Sequence, residues 1–255
     1  MADRDQQPVP KLAAEDRSVR RRLFRAALHA EDSYVLLFAL LMLDLLAAAF
    51  ATSATALAVL IVLVAATLLI ALRTSHVGQK ATRFAAFAVV ACVLFGFVAS
   101  ARKDPVLAGW MFAAMAALLV VTPAVIGRRI MAHREVTVQT LFGAVSVYVI
   151  FGLMFAFIYM AINFITGNPF YTQGGTNDPV NYIYASYITL TTVGYGDFTP
   201  VQSYGKMLVA IEALIGQVFL VTAVARLVSI YARSEDAAAK RRAQLEQPAE
   251  DSDIG

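Results

Sequence analysis

Thr192-Val193-Gly194-Tyr195-Gly196, preceded by Tyr182-Ile183-Tyr184-Ala185-Ser186-Tyr187-Ile188-Thr189-Leu190-Thr191 and closed by Asp197, decides how the rest of the chain is read. Gly194 and Gly196 carry no Cβ, so this run is free to alternate between negative and positive φ. Such alternation turns successive carbonyls to one side of the strand. Four copies around an axis would stack the carbonyls of Thr192, Val193, Gly194 and Tyr195, with the Thr192 hydroxyl, into oxygen rings able to replace the water shell of a bare monovalent cation. The plain alternative is a glycine-rich turn between two membrane helices.

Outward from this stretch, composition argues for a bilayer. Of 255 residues 59% are apolar and 15% charged, against about half and a quarter in soluble domains. The mean hydropathy is +0.66. Apolar blocks at about 33–52, 55–72, 84–100, 106–127, 141–164 and 203–231 each approach the roughly 20 residues that cross a bilayer as a helix. Between the last two, 165–200 holds a polar loop and a segment too short to span, which marks a re-entrant element. The Ala-rich end of the first block is not read as a signal-peptide cleavage site, because a long polar segment precedes it and further spans follow. The predicted class is an all-α integral membrane protein with six transmembrane helices plus a re-entrant pore helix.

The basic residues set the expected orientation. With the N-terminus cytoplasmic, the inner side carries Arg17, Arg20, Arg21, Arg22 and Arg25, then Arg73, Lys80 and Arg83, then Arg128, Arg129 and Arg134, then Arg226, Arg233, Lys240, Arg241 and Arg242. The outer side carries Arg102, Lys103 and Lys206. This asymmetry follows the positive-inside rule and places both termini inside a cell (plasma or inner) membrane. The expected organisation is a cytoplasmic segment 1–32, a four-helix region 33–127, a linker 128–140, a pore domain 141–231 and a cytoplasmic tail 232–255. In the first segment Val19, Leu23, Ala27 and Ala30 recur at helical spacing, read either as a basic amphipathic helix on anionic headgroups or as a solvated tail. The tail is expected to stay helical to about Leu245 and then become acidic, with no room for a ligand-binding domain.

TVGYGD after a short aromatic-rich helix resembles the potassium-channel pore loop and selectivity filter, over about 141–231. The resemblance implies a homotetramer, since one chain carries one filter strand. It implies K+ ions at Thr192, Val193, Gly194 and Tyr195, with Gly196 completing the filter and Thr191 and Asp197 supporting it. Members of that family often place a tryptophan in the pore helix that bonds the aspartate after the filter. Tyr184 stands there by spacing, and a Tyr184 hydroxyl to Asp197 bond is expected in its place. Ile188 is apolar where some members have glutamate, so no carboxylate pair is expected behind the filter.

The last span supplies gating candidates in Gly216, Ala223, Leu227 and Glu212. Gly216 is read equally as a hinge or as a point of close helix approach. Glu212 and Asp44 are ionisable residues within apolar blocks, where charge is costly enough to suggest a function. Glu212 is expected to satisfy pore-helix or filter-supporting groups. Asp44 is read as neutral, hydrated in a crevice, or paired with an arginine from the inner side. No basic residue occurs from Val106 to Ile126, so the fourth span lacks the arginine ladder of a voltage sensor, and steep voltage dependence is not expected. Pro123 is expected to bend that helix.

Other chemistries find little support. The single cysteine, Cys92, excludes intrachain disulfides, and His29, His76 and His133 are scattered near basic residues. No catalytic triad, phosphate-cradling loop or metal cluster is visible, so neither an enzyme, a cofactor beyond permeant K+, nor a nucleic-acid partner is expected. The competing functions are a weakly selective cation channel, a transporter subunit, and a non-conducting signalling or scaffold subunit. A transporter of this kind would carry four linked repeats with degenerate filters, which this chain lacks.

Overall fold

A computed structural model describes residues 34–50, 54–74, 79–132, 138–173 and 178–246. The architecture is all-helical: α1 Tyr34–Ala48, α2 Ala54–Thr74, α3 Gln79–Arg102, α4 Pro105–Ala132, α5 Val138–Thr166, α6 Pro179–Leu190 and α7 Ser203–Glu246. The basic segment 1–32 and the acidic end of the tail lie outside the described residues. Three of the helices contain stretches long and apolar enough to cross a membrane: Pro105–Pro123 in α4, Leu141–Thr166 in α5 and Ser203–Arg226 in α7. The described apolar stretches of α1, α2 and α3 are shorter, at Tyr34–Ala48, Val59–Ala71 and Ala86–Ala99.

Helix α5 is the hub. It packs against α4, α6, α1 and α7, while α1, α2, α3 and α4 each touch the next in order. Its sequence explains this position, because bulky apolar side chains occupy every face: Val147, Ile150, Leu153, Phe155, Phe157, Tyr159 and Met160 are all buried. A helix apolar all round belongs inside a bundle. Helix α7 is the opposite case, apolar yet covered over only 11% of its span, against 61% for α5.

Pro123 sits inside α4, which continues through it to Ala132. Arg128 and Arg129, read above as the start of a linker, therefore belong to the last turns of that helix. Helix α7 runs unbroken through Gly216 and on to Glu246.

Candidate functional site: the filter strand and its support

Helix α6 begins where Asp178 accepts a hydrogen bond from the Val180 amide at 3.1 Å, with Pro179 at the first turn. Both choices suit a helix start, since the cap satisfies a free donor and proline has none to satisfy. With 12 residues the helix rises only about 18 Å, too little to cross. At its far end Thr191 caps with its amide on the Tyr187 carbonyl at 2.9 Å. Its hydroxyl bonds the same carbonyl at 2.7 Å. The helix C-terminus directs partial negative charge at the strand that follows.

That strand has a regular backbone pattern. Thr192, Gly194 and Gly196 have φ of 61°, 50° and 79°, and Val193 and Tyr195 between them do not share the positive sign. The glycines adopt this conformation without a Cβ penalty. Thr192 does so as a residue that strongly disfavours it, and composition alone did not mark it. The amides of Val193 and Gly194 both donate to the Ile188 carbonyl, at 2.9 and 3.1 Å, and Thr192 donates to Thr189 at 2.9 Å. None of these bonds ends on the carbonyl of Thr192, Val193, Gly194 or Tyr195, so the strand is held at its start through the amide donors of Thr192, Val193 and Gly194. Residues 191–197 are exposed in the single chain, Tyr195 to 72%.

Behind the strand, hydroxyl groups bind α6 to its neighbours. Tyr148 of α5 donates to the Leu190 carbonyl at 2.8 Å. Tyr187 of α6 donates to the Val149 carbonyl at 2.6 Å. Glu212 of α7, fully buried, accepts from Tyr159 of α5 at 2.6 Å and meets Ser186 of α6 in a short hydrogen bond. Ser186 also reaches the Gly152 carbonyl at 2.7 Å. Two glycines permit the approach. A Cβ on Gly216 would lie 2.8 Å from the Leu190 carbonyl oxygen, and one on Gly152 would strike the Tyr187 ring. Gly216 thus sits where α7 closes on the end of α6. Of the other gating candidates, Ala223 is half-buried on α7, and the side chain of Leu227 lies outside the described residues.

After the strand 192–196, the chain is tied to the loop before α6. Thr172 donates to the Thr199 carbonyl at 2.8 Å and Val201 to the Phe170 carbonyl at 3.0 Å. The two threonine hydroxyls meet at 2.7 Å. Tyr159, Phe170, Tyr171, Tyr182 and Phe198 form a continuous aromatic cluster beneath this join. Tyr184, on the non-spanning helix α6, packs edge-on against Phe198. Hydrogen bonding to the Asp197 carboxylate, with desolvation and the Asp197 charge, raises the Tyr184 phenol above its ordinary range.

Asp44, on α1, makes no hydrogen bond to this network. It is 1% exposed, and neither carboxylate oxygen has a hydrogen-bond partner. Among the described residues no arginine pairs with it, and the group that acts on it is the Thr67 hydroxyl from α2.

Sequence reading singled out Glu212 but not the residues that meet it. Ser186, Tyr159, Gly152 and Tyr148 carried no local signal, being ordinary members of apolar helices. The one available hint was the density of hydroxyls in 182–192, which in a membrane need acceptors nearby.

Residues 143–233 match the family described as Ion channel. No curated protein and no solved structure matches the chain. The matched segment contains most of α5, all of α6, the filter strand and the membrane portion of α7, and it supports an ion-channel function for a membrane protein.

Proposed function

We propose that the chain is one subunit of a potassium-selective channel, assembled from four identical copies around the strand 192–196, passing K+ down its gradient. The observation that carries this reading is the alternating backbone of Thr192 to Gly196, in which the amides of Thr192, Val193 and Gly194 bond to α6 while none of the strand's backbone bonds ends on the carbonyls of Thr192 to Tyr195. Rings of such carbonyls replace the hydration shell of a dehydrated cation. K+ would bind at Thr192, Val193, Gly194 and Tyr195, with Thr191, Tyr184 and Asp197 holding the strand.

Assembly has its own support. Met207, Ile211, Leu214, Val218 and Val221 recur along α7 at alternating steps of four and three residues, and all are exposed, Leu214 to 65%. A seam of this spacing packs against another helix. A second copy of the same chain would cover it, and the filter needs that copy in any case. Gly216, Ala223, Leu227 and Glu212 lie on or beside this inner helix and are the candidates for its gating. The first four helices form a sensor-like domain without sensor arginines, and gating is not steeply voltage-dependent. Both termini face the cytoplasm of the cell membrane, where the arginines of 1–32 meet anionic headgroups.

The test is the reversal potential of purified protein in planar bilayers bathed by mixed K+ and Na+, with chemical cross-linking of the same preparation. A reversal potential tracking the K+ gradient and a ladder ending at the tetramer are expected. A value midway between the two ions would favour the weakly selective pore. A monomer without flux would favour the signalling or scaffold role.

A further inference from the structure

Glu212 poses a question of proton number. Ser186 has one hydroxyl proton, yet its Oγ stands within hydrogen-bond distance of two oxygens: the Gly152 carbonyl at 2.7 Å and Glu212 Oε1, the shorter contact. The carbonyl can only accept, so the Ser186 proton satisfies it. The contact between Ser186 Oγ and Glu212 Oε1 then needs a proton from the glutamate. Glu212 Oε2 accepts from Tyr159 at 2.6 Å. The set is complete only as a directed chain: Tyr159 hydroxyl to Oε2, Oε1–H to Ser186, and Ser186 hydroxyl to Gly152.

The surroundings agree with a neutral acid. Glu212 is 0% exposed. The titratable groups that face it are tyrosines, from each element packed there: Tyr148 and Tyr159 of α5, Tyr171 of the loop before α6, and Tyr187 of α6. Asp44 acts on Tyr187 from the far side. Among the described residues no lysine, arginine or histidine acts on Glu212. A buried carboxylate without a cation would be expensive, whereas a carboxylic acid with donor and acceptor both engaged is not.

We propose that Glu212 is held as a neutral carboxylic acid whose proton, donated to Ser186, locks the outer, pore and inner helices together behind the filter. Its effect on conduction rests on the channel reading above; its protonation does not. Glu212 is a positioning residue that acts through Ser186. Four residues after Ser186, Leu190 ends the pore helix, and the Ile188 carbonyl between them anchors Val193 and Gly194. Ionising Glu212 removes the donor of one link, leaves a bare charge between three helices, and frees that turn to shift.

The experiment uses the full-length protein in lipid vesicles, with two readouts. Infrared spectroscopy at neutral pH should show a protonated-carboxyl carbonyl stretch in the wild type that disappears in Glu212→Gln. Potassium flux should fall as pH is raised on both sides, while Glu212→Gln, whose amide donates to Ser186 and accepts from Tyr159, should stay within about twofold of the wild type and be flat over the same range. Ser186→Ala should lower flux about tenfold, the equivalent of one buried hydrogen bond to a strong partner. Absence of a band assignable to Glu212, or a Glu212→Gln variant as impaired as Ser186→Ala, would overturn the proposal. A band with no wild-type flux would instead sink the channel reading and leave the protonation standing.

Discussion

The Tyr148 hydroxyl lies 2.8 Å from the Leu190 carbonyl oxygen, so α5 holds the last turn of α6 at the point from which the strand 192–196 departs. The Tyr148 ring also stacks on Phe219 of α7, at 6.2 Å between centroids, which places the bond between two membrane helices. Tyr148→Phe keeps the ring and removes the donor. The Leu190 carbonyl closes the helix, and the Tyr148 hydroxyl is the side-chain donor that meets it. We expect a loss of about 1 kcal/mol of stability per subunit and faster decay of K+ current during sustained opening. Thermal melting in detergent and single-channel recording check the two parts.

Gly152 should tolerate no side chain. An added Cβ meets the Tyr187 ring, whose hydroxyl is already committed to the Val149 carbonyl at 2.6 Å. The ring is pinned at its far end and has little freedom to retreat. Gly152→Ala is expected to cost roughly 1–3 kcal/mol through overpacking, read as a lower melting temperature. Gly152→Ala combined with Tyr187→Phe, which unpins the ring, should recover part of the loss.

Gly194 makes the opposite steric case. A Cβ there would meet nothing within 4 Å in the single chain, yet φ is 50°. The penalty of Gly194→Ala is therefore conformational, on the order of 1–2 kcal/mol per strand and repeated in every copy. The expected outcome is a protein that folds with nearly unchanged helix content by circular dichroism but loses K+ flux. Unaltered flux would remove the strand from the conduction path.

Asp44 buries two acceptors without hydrogen-bond partners, which costs stability. Asp44→Val, similar in size and apolar, is expected to raise stability by about 1–3 kcal/mol, measured as a higher melting temperature of the solubilised protein. A lowered melting temperature would mean that the carboxyl has a binding role in the assembled protein.

Much of this was legible along the chain. Apolar blocks of bilayer length, an aromatic-rich segment too short to span between the last two and paired glycines in a hydroxyl-rich run are local patterns, and local patterns survive without a fold. The helices begin and end within a few residues of those blocks, and the final helix ends at Glu246, one residue past the expected Leu245. The segment from Arg128, read as a linker, begins as helix through Ala132, because basic residues mark where a helix leaves an apolar stretch and not where it stops being a helix.

Residue order alone determined that a strand with two free-turning glycines follows a short, non-spanning helix between apolar helices, because dihedral freedom and hydropathy belong to residues taken singly or in short runs. Only the tertiary structure decided what stands behind that strand. Tyr159 and Glu212 are 53 positions apart, Tyr148 and Leu190 42, and Ser186 and Glu212 26. Such pairs leave no periodic trace, since a serine or tyrosine in an apolar helix looks the same whether it faces lipid or an acid. The packing of three helices turns them into one hydrogen-bonded unit, and it also makes Gly216 a point of close approach, by bringing α7 against the Leu190 carbonyl where a methyl group would not fit.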